Sequence, residues 1–388
     1  MPDYVPDPEI SDLVRELNRA ARPNPRREPG PQGEGPILER LLVWAADRGA
    51  SDLLLVAGSE PAARVGGEIV LIANAQLTAE EIGAIFRTLL DPVALKRLNQ
   101  DRSFDLGFER PGVGRFRANL HFERGAPALS VRLLPAAIPS LEELHLPDVV
   151  TRLTALRRGL VLITGPAGSG KSTTLAALVT RLLQTRPCHV VTLEDPIEYV
   201  FAHGRGLVEQ IEIGRDAPSF AAALRAALRQ APEIILVGEM RDAETIAMAL
   251  TAAETGHLVF STLHTGDTSQ AIDRVLDVFG SGRQEQVRGQ LALALQAIVS
   301  QVLLPIPDGA GARRAVCEVL LANDAVRKRI RHGETHHLHQ EITLGKGSGM
   351  VTLEEALAAH VRAGLAAREE AAACARHPEE FAKFLGGR

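Results

Sequence analysis

The run GPAGSGKSTT, Gly165 to Thr174, constrains this chain more than any other stretch. The apolar run LVLIT precedes it, and the Ala/Leu-rich helical pattern LAALVTRLL follows. In that context G-x-x-x-x-G-K-[ST] reads as a strand, a glycine-rich loop and a helix N-terminus. Gly165, Gly168 and Gly170 allow the backbone to turn so that its N–H groups point inward at phosphates. The helix N-terminus adds partial positive charge. Lys171 supplies a mobile cation for β- and γ-phosphates, and the Ser172 hydroxyl a ligand for Mg²⁺. Pro166, Ala167, Ser169 and Thr173 complete the stretch expected to surround the nucleotide.

The same strand-then-helix rhythm runs from about residue 145 onward. GLVLITG, HVVTLED, IILVGE and HLVFSTLH are continuous apolar runs of the kind buried on both faces. Helical patterns separate them, which predicts an α/β domain with a parallel sheet over 145–388. After about residue 283 the pattern is mostly helical, including QVRGQLALALQAIVSQVL and TLEEALAAHVRAG. Upstream, 37–138 reads as a small α+β domain. It has a helix at ILERLLVWAADRG and a second helix opened by a Thr78/Glu81 capping box. Short strand-like runs follow at SDLLLVAG, AARVGGEIVLI, FDLGFE, GRFRANLHFERG and ALSVRLLP. Ser140 and Glu143 repeat the box spacing at the joint between the domains. Residues 1–36 are rich in Pro and Gly and read as a tail or linker.

Composition narrows the function classes. The three cysteines, Cys188, Cys317 and Cys374, are far apart and cannot form a disulfide framework or a four-cysteine zinc site. The first residues are acidic and lack the apolar core of a leader peptide. QLALALQAIVSQVLLPI, the most apolar long run, is too polar and too short to span a bilayer. A cytoplasmic protein is expected. Net charge is −5 and aromatics are 4% of residues, which argues against nucleic acid as a partner.

Two acidic strand ends accompany the loop. EIILVGE ends in Gly238 and Glu239, without the Asp that usually closes such a strand and holds Mg²⁺. Glu239 is placed to orient or deprotonate an attacking water. VVTLEDPIE offers Glu194 and Asp195 as the missing metal-side carboxylates, acting partly through water. HLVFSTLHT starts behind His257 and ends at His264, whose imidazole can sense a γ-phosphate. RHGETHHLHQ reads as a His-rich surface turn rather than a metal site.

GPAGSGKST, VTLEDPIEY, ALRQAPEIILVGEMRDAETI and TGHLVFSTLHT occur in that order. The set resembles the secretion ATPase superfamily of type II secretion and type IV pili, and within it the PilT-type retraction branch. The resemblance runs from about Ile37 to Leu365. It implies a PAS-like N-terminal domain, a RecA-like P-loop ATPase domain with C-terminal helices, and a homohexamer that hydrolyses ATP with Mg²⁺. It further implies work on an inner-membrane pilus platform protein, beside a pilus assembly ATPase, by a protein peripheral to that membrane. Glu239 and Glu194 match the family's acidic residues, and His257 and His264 its histidines. Arg117, Arg124 and Arg132 match arginines that reach over the nucleotide and neutralise γ-phosphoryl charge. One departure stands out. AVRKRI, Ala325 to Ile330, replaces the branch's AIRNLI, so Arg329 stands where a Leu is usual. An accessory paralogue is therefore the alternative expectation.

Overall fold

A computed structural model describes residues 26–73, 75–135, 137–307 and 312–386. They form two compact units divided at residues 136 and 137.

The first unit holds β1 (Arg26–Pro29), α1 (Ile37–Asp47), β2 (Asp52–Val56), β3 (Ala62–Val65) and β4 (Glu68–Ala73). It continues with α2 (Ala79–Leu89), α3 (Pro92–Asp101), β5 (Ser103–Arg110), β6 (Gly114–Glu123) and β7 (Ala126–Leu133). Its seven-stranded sheet has the order β1-β4-β3-β2-β7-β6-β5. All pairs are antiparallel except β1 with β4. Helix α1 buries Leu38, Leu41, Leu42 and Ala45, the spacing of one helical face. The Thr78/Glu81 box forms: Glu81 N–H donates to Thr78 Oγ1 at 3.2 Å, and Thr78 N–H to Glu81 Oε2 at 2.7 Å. These bonds hold the Glu81 carboxyl below its ordinary range. Within the expected tail, Arg26–Pro29 is instead a strand paired with Val70–Ala73. The Trp44 indole N–H donates to Pro29 O at 2.9 Å, tying that strand to α1. Residues 1–25 of the expected tail lie outside the described residues.

The second unit opens with a reciprocal Ser140/Glu143 pair over a single turn, followed by α4 (Asp148–Arg152) and β8 (Gly159–Thr164). Next come α5 (Lys171–Thr185), β9 (His189–Glu194), β10 (Leu207–Glu212), α6 (Phe220–Ala227), β11 (Ile234–Val237) and α7 (Ala243–Glu254). They are followed by β12 (Leu258–Leu263), α8 (Thr268–Asp277), α9 (Ser281–Ala294), β13 (Leu295–Pro305) and β14 (Arg313–Leu321). The unit closes with α10 (Asp324–His332), α11 (Leu338–Leu344), α12 (Leu353–Arg362), α13 (Arg368–Cys374) and α14 (Pro378–Leu385). The sheet order is β10-β9-β11-β12-β8-β13-β14, parallel throughout except for β14. Apolar clusters line both faces of this sheet, one including Leu162, Leu250 and Ile272, the other Val161, Leu178 and Phe260. This is the α/β architecture that continuous apolar strands dictate.

One expectation is corrected here. QAIVSQVLLP is not the end of a long helix. The helix stops at Ala294, and Leu295–Pro305 is a strand between β8 and β14. A central strand is apolar on both faces, so it lacks the alternation that separates strand from buried helix. Its β-branched Ile298, Val299 and Val302 suit the pleat better than a helix. Leu207–Glu212 and Arg313–Leu321 are likewise strands beyond those expected.

Candidate functional site

Because β8, β9, β11 and β12 are parallel, their C-terminal ends share one edge of the sheet. The glycine-rich loop leaves β8 at that edge, and Glu194, Glu239 and His264 close or follow the other three strands.

The loop is shaped by its glycines. Gly165 has φ +143°, and a Cβ there would stand 2.3 Å from Gln301 O. Gly170 has φ +85° and caps α5. Pro166, Ala167 and Gly168 are exposed, as is Ser172 in the first turn of α5, while Ser169 is buried with its Oγ unpartnered. Lys171 is buried, and its Nζ donates to Gly165 O at 2.9 Å and Pro166 O at 2.8 Å. Burial lowers the Lys171 pKa, opposed by the charges of Glu198 and Glu239. A cation pressed against two loop carbonyls, beneath exposed glycine backbone, fits an anion that would take over its N–H donors. Thr173 Oγ1 lies 2.9 Å from the Tyr199 hydroxyl.

Glu239 sits just beyond β11. Its Oε2 is 2.8 Å from Arg241 Nε and 3.6 Å from His264 Nε2. Burial and the Lys171 charge pull the His264 pKa below its ordinary value, against the pull of Glu239. This favours the neutral imidazole, which can donate or accept a hydrogen bond. Gly238, where the usual Asp would stand, donates its N–H to Leu193 O at 2.8 Å, and a Cβ there would lie 3.1 Å from that oxygen. A side chain at this point would need the neighbouring strand to give by a few tenths of an ångström.

Glu194 is turned inward. Its Oε1 accepts from Thr192 Oγ1 at 2.6 Å and Gln210 Nε2 at 3.0 Å, and burial pushes its carboxyl pKa up. Asp195 is exposed beside it. Glu198, in the same acidic box, is the carboxylate there that acts on Lys171. The box signalled an acid at this edge; which of its acids faces the lysine depended on the turn after β9. Exposed hydroxyl and carboxylate oxygens, with no sulfur donor among them, suit Mg²⁺.

His257 is not part of this group. It precedes Leu258, so the length of β12 separates it from His264, about 20 Å at strand rise. Its Nδ1 bonds Ala252 O at 3.0 Å, and its own carbonyl accepts from Gly159 N–H. It pins the entry of β12, at the sheet edge opposite the loop.

The three arginines fall in the first unit. Arg117 on β6 and Arg132 on β7 are directly opposite in register. Asp52 lies 3.0 Å from Arg132 Nε, and Asp105 3.9 Å from Arg117 Nε, which offsets the repulsion of two like charges. Arg124 sits apart in the β6–β7 turn at φ +48°, with 91% of its side chain exposed. In the second unit, Arg329 reaches no apolar core. Its Nε donates to Glu341 Oε1 at 2.9 Å and its Nη1 to Glu334 Oε2 at 2.5 Å.

A phosphate loop on a parallel sheet, with a carboxylate and an imidazole at neighbouring strand ends, defines a P-loop nucleoside-triphosphatase site. The description of type II/IV secretion system proteins matches residues 90–372. The chain is 44% identical over 345 residues to the type IV pilus retraction ATPase PilT of Pseudomonas aeruginosa, covering 89% of this chain and 99% of that one. It is also 44% identical over 326 residues to a twitching motility protein of Neisseria gonorrhoeae, covering 84% and 87%. Among solved structures it is similar to the pilus retraction motor PilT with bound ADP. That match has a TM-score of 0.82 and 42% identity, and covers 90% of this chain and all of the other. The chain belongs to the type II/IV secretion system protein family.

Proposed function

We propose that this chain is an ATP-hydrolysing motor that powers pilus retraction. The observation that carries the reading is the convergence of Lys171, Glu239 and His264 at one sheet edge, in a chain so similar to named retraction ATPases. The backbone N–H groups of Ala167 to Thr173 bind the phosphates, and Lys171 exchanges its loop carbonyls for phosphate oxygens. Glu239 orients the attacking water and accepts its proton, and neutral His264 bonds the γ-phosphate. Ser172 and Asp195 would hold Mg²⁺, with Glu194 and Glu198 reaching it through water. Held by these residues, the ion would supply positive charge against that of the phosphates.

Six copies form the working ring, on the cytoplasmic side of the inner membrane, with a platform protein as partner. Among the described residues, no helix is long and apolar enough to cross a membrane. The test is a deletion strain complemented with the parent or with Lys171→Ala. Retraction restored by the parent alone supports the reading. Normal pilus length and motility in the deletion strain overturns it.

A further inference from the structure

The nucleotide loop rests on a side chain that no motif singles out. Gln301 lies on β13, next to β8, and is 1% exposed. Its Oε1 accepts from Thr174 Oγ1 at 2.9 Å, and its Nε2 donates to Ser169 O at 2.7 Å. The amide thus bridges the loop to the first turn of α5. Thr174 and Ser169 are buried as well.

Gln301 also forms the floor of the loop. A Cβ at Gly165 would meet its carbonyl oxygen, and one at Gly170 would stand 2.9 Å from its Nε2. Both glycines are at positive φ, and the strand carbonyl of residue 301 and the amide tip occupy the space a side chain at Gly165 or Gly170 would need. A primary amide in an apolar strand is costly to bury unless its donor and acceptor are both used. Here each has a partner, one on the loop and one on the helix. Lys171 meanwhile donates to Gly165 O and Pro166 O.

We propose that Gln301 is a positioning residue for nucleotide binding, holding the Gly165–Lys171 loop in its phosphate-receiving shape from beneath. This rests on the reading of that loop as the nucleotide cradle.

The test measures Mg-ADP affinity by calorimetry, ATP turnover, and the nucleotide-free Tm, all on the full chain. Gln301→Leu keeps the volume and removes both bonds. It is expected to raise the ADP Kd about tenfold and to lower kcat as well. Thr174→Val is expected to weaken ADP in the same direction, and Thr174→Ser to restore it. The double variant Gln301→Leu/Thr174→Val should bind no worse than Gln301→Leu alone, since Gln301→Leu already removes the one bond that Thr174→Val breaks. Leu357→Ala, which opens a cavity among the C-terminal helices, should lower Tm and leave the ADP Kd unchanged. The inference is overturned if folded Gln301→Leu binds ADP like the parent, or if Leu357→Ala weakens ADP as much. Should Gln301→Leu fail to fold, Thr174→Val decides: parental affinity in that variant sinks the inference. A parent chain that binds no ADP removes the cradle reading together with this one.

Discussion

The Glu239 carboxylate and the His264 imidazole stand 3.6 Å apart, on the ends of two neighbouring parallel strands. Neither residue is near the other in sequence; the sheet brings them together beside Lys171. Glu239→Gln keeps the size and removes the basic oxygen. ATP turnover should fall about 10²–10⁴-fold, with ADP affinity unchanged. Steady-state phosphate release checks the first and calorimetry the second. Parental turnover would remove Glu239 from its role.

The His264 imidazole should titrate below its ordinary value. The folded state then binds this proton less well than the unfolded chain. The corresponding stability is present above the ordinary imidazole pKa and is lost as pH falls below it. Lys171→Met deletes one of the charges responsible, so the His264 pKa should rise. An NMR titration reads this, with the resonance assigned by its absence in His264→Gln. An unchanged pKa in Lys171→Met would contradict the placement of the two groups.

Gly165→Ala should be severe in a way that a surface glycine is not. The position combines φ +143° with a carbonyl oxygen 2.3 Å from the added Cβ. The strained backbone should cost about 1–3 kcal/mol, before any shift of β13. Thermal unfolding should show a lower Tm, and ADP should no longer raise it. Gly112, also at positive φ but with open space around its Cβ, provides the comparison. Gly112→Ala should leave the ADP effect intact.

Removal of residues 1–34 deletes β1 and the acceptor of the Trp44 indole. Trp44 is the chain's single tryptophan and is 4% exposed. Its fluorescence should shift to the red as water reaches the ring. Emission identical to the parent would mean that the edge strand contributes nothing to this packing.

The parts that were legible share a physical cause. The loop from Gly165 to Ser172 is plain because phosphate binding fixes residue type at Gly165, Gly170, Lys171 and Ser172. The strands leading to Glu194, Glu239 and His264 are plain because central parallel strands are continuously apolar. β13 reads as helix for the same reason: LALALQAIVSQVL is mostly apolar, and periodicity cannot say where helix becomes strand. The edge strand Arg26–Pro29 carries charges and a proline, as edges do, and so resembled a linker. His257 looked like a site residue because it shares a motif with His264, yet six strand residues carry it to the opposite edge. Glu198, Arg241 and Gln301 gave no separate signal, because their importance lies in which neighbour the fold turns toward them. Arg329 looked misplaced on a helix, until Glu334 and Glu341 proved to receive its charge.

The most direct measurement is a structure of the chain with a non-hydrolysable ATP analogue and Mg²⁺. The account predicts the β- and γ-phosphates inside the Gly165–Thr173 loop, Lys171 Nζ moved from the loop carbonyls onto them, and the γ-phosphate facing Glu239 and His264. An analogue bound elsewhere, or one seated in the loop with its γ-phosphate turned away from both residues, would contradict it.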